Sequence, residues 1–297
     1  MTTAVVWILL CLIWGTTWIF IKIGLNDLSP AGFAASRFTI ACIILFAILR
    51  LKRNLEFYDS KTFSFITFTG ILQFSFNYGL LFWGEKYITS GLAAVLQATI
   101  PAFGLILARF FVNESITTSK VFAIALGILG SAMIFFEQLE LKGEMAFFGS
   151  LAVVIGAFGA ALASVLVKAK LSEVEPANLT FWQMLIGHLP LWILSFVFEG
   201  NPLNFHWNLT SIISVFYLAV MGSIIAFWLY YWLLRKIEVT KAMMISLVTP
   251  IIAVFIGSLF GEEIKSQAIA GGFLILLSVF LTIVLPYFTI KERVESL

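Results

Sequence analysis

Polar side chains set inside long apolar runs are the residues of this sequence that could do chemistry. Gln73, Asn77 and Tyr78 fall in one run, Gln97 and Thr99 in the next, Tyr230 and Tyr231 in a later one, and Ser246 and Thr249 in another. A polar group inside a bilayer is costly, so each is either a contact to a solute or a bond that holds helices together. Asn77 and Gln97 are the preferred hydrogen-bond donors to a solute. Trp14 and Trp18 stand four residues apart, on one face of a helix, and suit the wall of a cavity for an apolar or planar solute; packing is the other reading. Trp7, Trp83 and Trp207 read as interfacial anchors.

Charge inside the runs is scarce. Arg37 alone lies well within one. Its forked donors suit an anionic group such as a carboxylate, or it snorkels outward or pairs with the carboxyl end of a helix. Snorkelling accounts for Lys22 and Lys168. Glu114 and Glu263 each precede a run and read as caps at the positive end of the helix that follows. None of the runs contains Asp or Glu, which argues against a carboxylate proton relay at the midplane. His188, central in its run, reads as a packed, hydrogen-bonded side chain before it reads as a proton carrier. Pro101 and Pro250 each fall near the middle of a run, where a missing amide and a ring clash bend a helix; the pair is expected to act as hinges.

The elements that position these residues follow from composition. The chain of 297 residues is 61% hydrophobic and 11% charged, with a mean hydropathy of +1.04, against about 25% charged residues in soluble domains. A bilayer core about 30 Å thick needs roughly 20 apolar residues per helix. Ten runs meet this: Ala4 to Ile23, Gly32 to Leu49, Phe63 to Trp83, Ser90 to Phe111, Ser119 to Phe136, Phe147 to Val167, Asn178 to Val197, Ser211 to Leu234, Ala242 to Phe260 and Gln267 to Pro286. Small residues recur every four positions at Ala123, Gly127 and Ser131, at Gly156, Ala160 and Ser164, and at Gly257 and Gly261, a pattern for close helix contact. Cys11 and Cys42 lie inside runs, which disfavours a disulfide or metal site. The net charge of +2 and scattered basic residues give no nucleic-acid partner, and no phosphate loop, zinc-protease motif or aspartate cluster suggests an enzyme or a cofactor.

Orientation and symmetry come next. With the amino terminus inside, thirteen of the eighteen lysines and arginines fall on the cytoplasmic side, four outside, and Arg37 within a run, so both termini are expected in the cytoplasm of a plasma-membrane protein. The chain also repeats. At an offset of 149, Trp83 matches Trp232, Ala93 matches Ala242, Pro101 matches Pro250 and Glu114 matches Glu263; at 146, Lys22 matches Lys168 and Pro30 matches Pro176. Five runs per half is an odd number, so the halves insert in opposite senses. Opposed repeats allow inward and outward access to exchange, as secondary transporters require.

Trp14-Gly15-Thr16-Thr17, Lys22, Pro30 and Arg37, then Gly91-Leu92-Ala93-Ala94, Pro101 and Glu114, resemble the EamA-type repeat of the drug/metabolite transporter superfamily. The likeness runs over nearly the whole chain as two units. It departs in the second, where Ala160-Ala161 aligns with the Trp-Gly pair and Gln183 with Arg37. The resemblance implies an all-α integral membrane protein of about ten transmembrane helices in two inverted five-helix repeats. One repeat covers 1–136 and the other 147–288, with an external connector at 137–146 and a cytoplasmic tail at 289–297. It implies a central cavity lined by the first four helices of each half, with the fifth helices as buttresses. On those helices Trp14, Trp18, Arg37, Asn77, Tyr78, Gln97, Tyr230 and Ser246 are the expected substrate contacts, with a small metabolite, amino acid-like or another small organic solute, as the exported partner.

Overall fold

A computed structural model describes residues 2–85, 87–136, 139, 143, 145–201, 204–259 and 265–284. The connector at 137–146, in large part, and the tail at 289–297, together with Lys86, Glu263 and Gly261, lie outside the described residues. Nine described helices are long and apolar enough to cross a membrane. They are α1 (Thr3–Gly24), α2 (Pro30–Leu51), α3 (Ser60–Glu85), α4 (Leu92–Phe111), α6 (Ala146–Lys170), α7 (Pro176–Glu199), α8 (Leu209–Lys236), α9 (Val239–Leu259) and α10 (Ser266–Ile283). The apolar helix Thr118–Ile134 stands between α4 and α6 as α5. Its 17 residues reach about 25 Å, a little short of the apolar core. The chain is an all-α integral membrane protein of about ten spans.

Local chemistry sets the helix starts. Thr89 Oγ1 accepts from Leu92 N at 3.2 Å, Asn208 Oδ1 from Ser211 N at 2.8 Å and Asp59 Oδ2 from Lys61 N at 3.1 Å, each occupying a donor the first turn cannot use. Pro30 and Pro176 open α2 and α7, where no amide is required. Three spans are interrupted, one of them α7, where Pro176–Gly187 and Leu189–Leu194 meet at His188. In α4 the first piece ends at Gln97 and gives way to Ile100–Phe111, with Pro101 in the first turn of the second piece. Within α9, Val239–Met243 and Ile245–Leu259 meet at Met244, and the helix then continues through Pro250. The break expected at Pro250 therefore sits six residues earlier. The Thr249 hydroxyl donates to the Ser246 carbonyl at 3.1 Å, the acceptor that a proline at 250 cannot use, so the helix tolerates the ring.

Helix pairing obeys a two-fold relation. α1 packs on α9 and α6 on α4; α1 packs on α8 and α6 on α3; α2 meets α7, and α5 meets α10. Thus the first helix of each half packs against the third and fourth of the other, while second and fifth helices meet their own counterparts. The α5–α10 seam is backbone-close: a Cβ on Gly130 would lie 2.5 Å from Gly271 O, and one on Gly271 2.4 Å from Gly130 O. Gly127 is held likewise against Leu247 and Ser278. Small residues here permit contact that side chains would block.

Carboxylates tie one half to the other. Asn113, at φ 57°, ends α4 in a left-handed turn, and the Glu114 N–H returns to Ala108 O at 3.1 Å. That turn aims Glu114 away from α5. Its carboxylate accepts from Val239 N at 2.5 Å, Thr240 N at 3.3 Å and Thr240 Oγ1 at 2.8 Å. Glu114 is thus a cap, but of α9 in the opposite half; α5 is capped by Thr117, whose Oγ1 accepts from Lys120 N at 3.3 Å. Glu199 does the same for α2, accepting from Ser29 Oγ at 2.6 Å and from Ala31 N and Gly32 N at 3.0 Å. Lys168 does not simply snorkel: its ammonium donates to Leu234 O at 2.5 Å and Ile237 O at 3.1 Å.

Candidate functional site

A cavity of about 190 Å³ lies on the two-fold, walled by α1, α3 and α4 of the first half and α6, α8 and α9 of the second. The second and fifth helices of each half contribute nothing to its described wall. α2 and α7 pack on each other behind it, which corrects the expectation that four helices per half would line the space. The lining includes Trp14, Trp18, Asn77, Tyr78, Gln97, Tyr230, Ser246 and Pro250. Arg37 and Pro101 are absent from it.

The amides of the wall come from α3 and α4, and hydroxyls come from Thr17, Tyr78, Ser164, Tyr230, Ser246 and Thr249. Gln97 and Ser246 occupy equivalent places in the repeat, each four residues before its proline, and both line the cavity. Gln97 Nε2 donates to Asn77 Oδ1 at 3.1 Å. This bond orients both amides and leaves Gln97 Oε1 and Asn77 Nδ2 as an acceptor and a donor at the wall. Tyr230 is spoken for: its hydroxyl donates to Ser164 Oγ at 3.1 Å, and Ser164 donates to Ala160 O at 3.0 Å. Its ring packs 5.2 Å from Trp14, whose other neighbour is Phe227 at 5.7 Å. Trp14 thus bridges the halves as a flat apolar surface.

The backbone of α3 and α8 bends where the wall needs it. Ile71–Asn77 and Val220–Ile225 are π-helical, at equivalent positions of the repeat. A π-turn holds one residue more than the α-helix would, so it rotates the side chains that follow. Gln73 and Asn77 lie in the first segment; Phe227 and Tyr230 follow the second. Gly156 on α6 admits the α3 backbone here, since a Cβ would stand 3.1 Å from Asn77 O. Of that small-residue face, Ala160 and Ser164 line the cavity as well.

Arg37 is placed behind the wall rather than in it. It is 4% exposed, its Nη2 donates to the Tyr78 hydroxyl at 3.2 Å, and its guanidinium lies 4.6 Å from the Phe38 ring and 5.2 Å from the Tyr78 ring. α2 faces α7 and α8, so a side chain on it reaches the cavity only through α3; Arg37 acts on the wall by holding Tyr78. Its counterpart Gln183 is buried, donating through Nε2 to Thr69 Oγ1 at 2.6 Å. His188 lies at the break of α7, buried, with Nδ1 2.7 Å from Met184 O, away from the cavity. Of the tryptophans expected at the interface, Trp7 bonds through Nε1 to Lys241 O at 2.9 Å.

Sequence reasoning missed one charged member of the wall. Glu85 follows the α3 run by two residues, and it lines the cavity. Helical spacing gives the signal: Glu85 stands four residues from Leu81 and eight from Asn77, both lining residues. It belongs to the end of the bundle where α1 finishes. There Trp18, Ile21, Leu81 and Glu85 are partly exposed, whereas Phe227, Met243 and Ile245 toward the end where α1 begins are 2% exposed or less. The cavity is therefore open at the first end and shut at the second. The shut end is where the segment 234–241 is bound by Glu114, Lys168 and Trp7 and by Lys120, whose Nζ lies 3.0 Å from Glu238 Oε1.

Comparison with known proteins places this geometry. The model of the EamA-like transporter family matches residues 1–136 and 147–284, one match per half. The chain is 28% identical over 272 residues to the uncharacterized transporter YoaV of Bacillus subtilis, covering 91% of this chain and 92% of that one. It is 30% identical to an uncharacterized transporter of Archaeoglobus fulgidus over 282 residues, covering 93% and 98% of the two chains. It is also 30% identical over 261 residues to the uncharacterized inner membrane transporter YedA of Escherichia coli, covering 87% and 82%. A solved crystal structure shares the fold with a TM-score of 0.82 at 16% identity, over 95% of this chain and 97% of that one.

Proposed function

The chain belongs to the EamA-like transporter family, and on that premise we propose that it carries a small organic metabolite across the plasma membrane by alternating access, with export as the direction the kinship implies. The observation that carries the reading is the cavity on the two-fold, built from equivalent helices of both halves, open at one end and shut at the other. Exchange of conformations between the halves would shut the open end and open the shut one around the same residues. The relative YedA is named an inner membrane protein, which supports the same membrane here. The lysine and arginine distribution supports both termini in the cytoplasm, so the open end is the external one.

In this scheme Trp14 and Trp18 offer flat apolar surface, while Asn77, Gln97 and Ser246 offer donors and acceptors. Tyr78 and Tyr230 shape the wall, and Arg37 holds Tyr78. The breaks after Gln97 and at Met244 loosen the helices that carry Gln97 and Ser246, which suits residues that must face two sides in turn. Flux of a metabolite panel into proteoliposomes of the purified chain, with and without a pH gradient, tests the reading. Saturable movement of at least one solute is expected; no movement of any solute under either condition refutes it.

A further inference from the structure

Among its described lining residues the cavity has one carboxylate, Glu85, and no lysine, arginine or histidine. No hydrogen bond or ion pair within the described residues engages that carboxylate. A half-buried charge beside low-dielectric walls is expensive unless something compensates it. The guanidinium behind the wall does not supply this: Arg37 bonds at Tyr78, seven residues and about 10 Å along the helix from Glu85. Around the same space stand the rings of Trp14, Trp18, Tyr78, Phe82, Phe227 and Tyr230. Ring faces attract cations and flat apolar bodies alike, and repel anions.

We propose that Glu85 is the counter-ion of the transported solute, and that the solute class is an organic cation: a protonated amine joined to a flat apolar body. The inference rests on the transport reading. With the ammonium at Glu85, a body about 10 Å long reaches the level of Tyr78 and Asn77, two turns deeper, where the Trp14 ring and the Asn77–Gln97 amide pair lie. The position at the open end gives Glu85 a second effect. A carboxylate at the mouth of an apolar-walled cleft raises the local concentration of cations and lowers that of anions. The amides and hydroxyls further in distinguish among amines without adding charge. The repeat equivalent of Glu85 is Leu234, so the carboxylate belongs to the external half of the path alone.

The test uses the purified full chain in proteoliposomes and three indole solutes of one shape: tryptamine, its neutral alcohol analogue tryptophol, and anionic indole-3-propionate. Carried charge is read by solid-supported membrane electrophysiology and uptake by radiolabel. Tryptamine is expected to move saturably, with the alcohol at least about tenfold weaker and the anion weaker still. Glu85→Gln should raise the tryptamine KM about tenfold or more and cut the preference for tryptamine over tryptophol by a similar factor, and Glu85→Asp should fall between. If the parent chain moves all three alike, or moves other metabolites without preference for amines, and Glu85→Gln changes nothing, the counter-ion role is overturned while the transport reading stands. If Glu85→Gln removes only the dependence on a pH gradient and leaves the tryptamine KM unchanged, Glu85 carries a proton rather than meeting an amine, and the proposal again falls. Absence of any flux in the parent chain removes the transport reading itself.

Discussion

The shut end of the cavity gives the sharpest prediction, because a buried carboxylate is one of the groups that hold it. Replace Glu114 by alanine. Two backbone N–H groups, at Val239 and Thr240, then lose their acceptor, and so does the Thr240 hydroxyl. A hydrogen bond to a charged group contributes about 1.5–3 kcal/mol, and a stranded buried N–H costs about 1–3 kcal/mol. Loss of a negative charge at a helix start adds about 0.3–1 kcal/mol. Some of this is recovered, since the threonine hydroxyl re-aims and Glu114, at 9% exposure, lies within reach of water. A net of about 3 kcal/mol follows, or roughly a hundredfold in an equilibrium constant at about 1.4 kcal/mol per tenfold. That energy is specific to conformations in which segment 234–241 docks on the first half, so the variant should favour opening at that end. In a background with Cys11 and Cys42 replaced, a Ser246→Cys reporter should react with a membrane-impermeant maleimide from the side of the chain termini. The expected rise is tenfold to about a hundredfold over the parent. Glu114→Gln, which keeps one acceptor oxygen, should fall between. A folded Glu114→Ala protein that labels at the parental rate would refute the view that this cap holds the gate.

Two further outcomes follow from the same geometry. Gly130→Ala places a Cβ 2.5 Å from the Gly271 carbonyl and should lower the thermal stability measured in detergent by several degrees, whereas Gly272→Ala, whose nearest neighbour is 4.0 Å away, should leave it unchanged or raise it by up to about 1 kcal/mol of helix propensity. Burial pushes the Glu238 carboxyl up, but hydrogen bonds from the Lys241 and Lys120 ammonium groups outweigh it and hold the group below its ordinary 4.5. A depressed carboxyl stabilises above its unfolded value and loses that contribution as pH falls through the folded one, so thermal stability should drop below pH 4.5, and Glu238→Gln should flatten that acid limb.

Much of the architecture was legible because it depends on length and composition. Apolar runs of bilayer length gave the spans, and matched positions at one offset, such as Pro101 with Pro250, gave the two related halves. The faces of the helices were less legible. A helix apolar on all sides carries no moment that says which side meets solute, so Arg37 on α2 and Asn77 on α3 looked alike until packing put α2 behind α3. Glu114 was recognised as a cap from its neighbours in sequence, but the left-handed Asn113 turns it to a helix 125 residues away. Glu85 escaped because the run was cut where apolarity ended, while the helix continued to carry its side chain inward.

The π-turns of α3 and α8 bear on symmetry as well as shape. A π-turn is in effect an α-helix with one residue inserted, tolerated only where the neighbours accept a rotated face. Ile71–Asn77 and Val220–Ile225 begin 149 residues apart, the same interval that relates Trp83 to Trp232 and Pro101 to Pro250. The third helix of each half therefore carries its extra residue at one register, so the two walls curve around the shared space by the same local device and present the side chains that follow, Tyr78 in one half and Phe227 in the other, with the same added rotation.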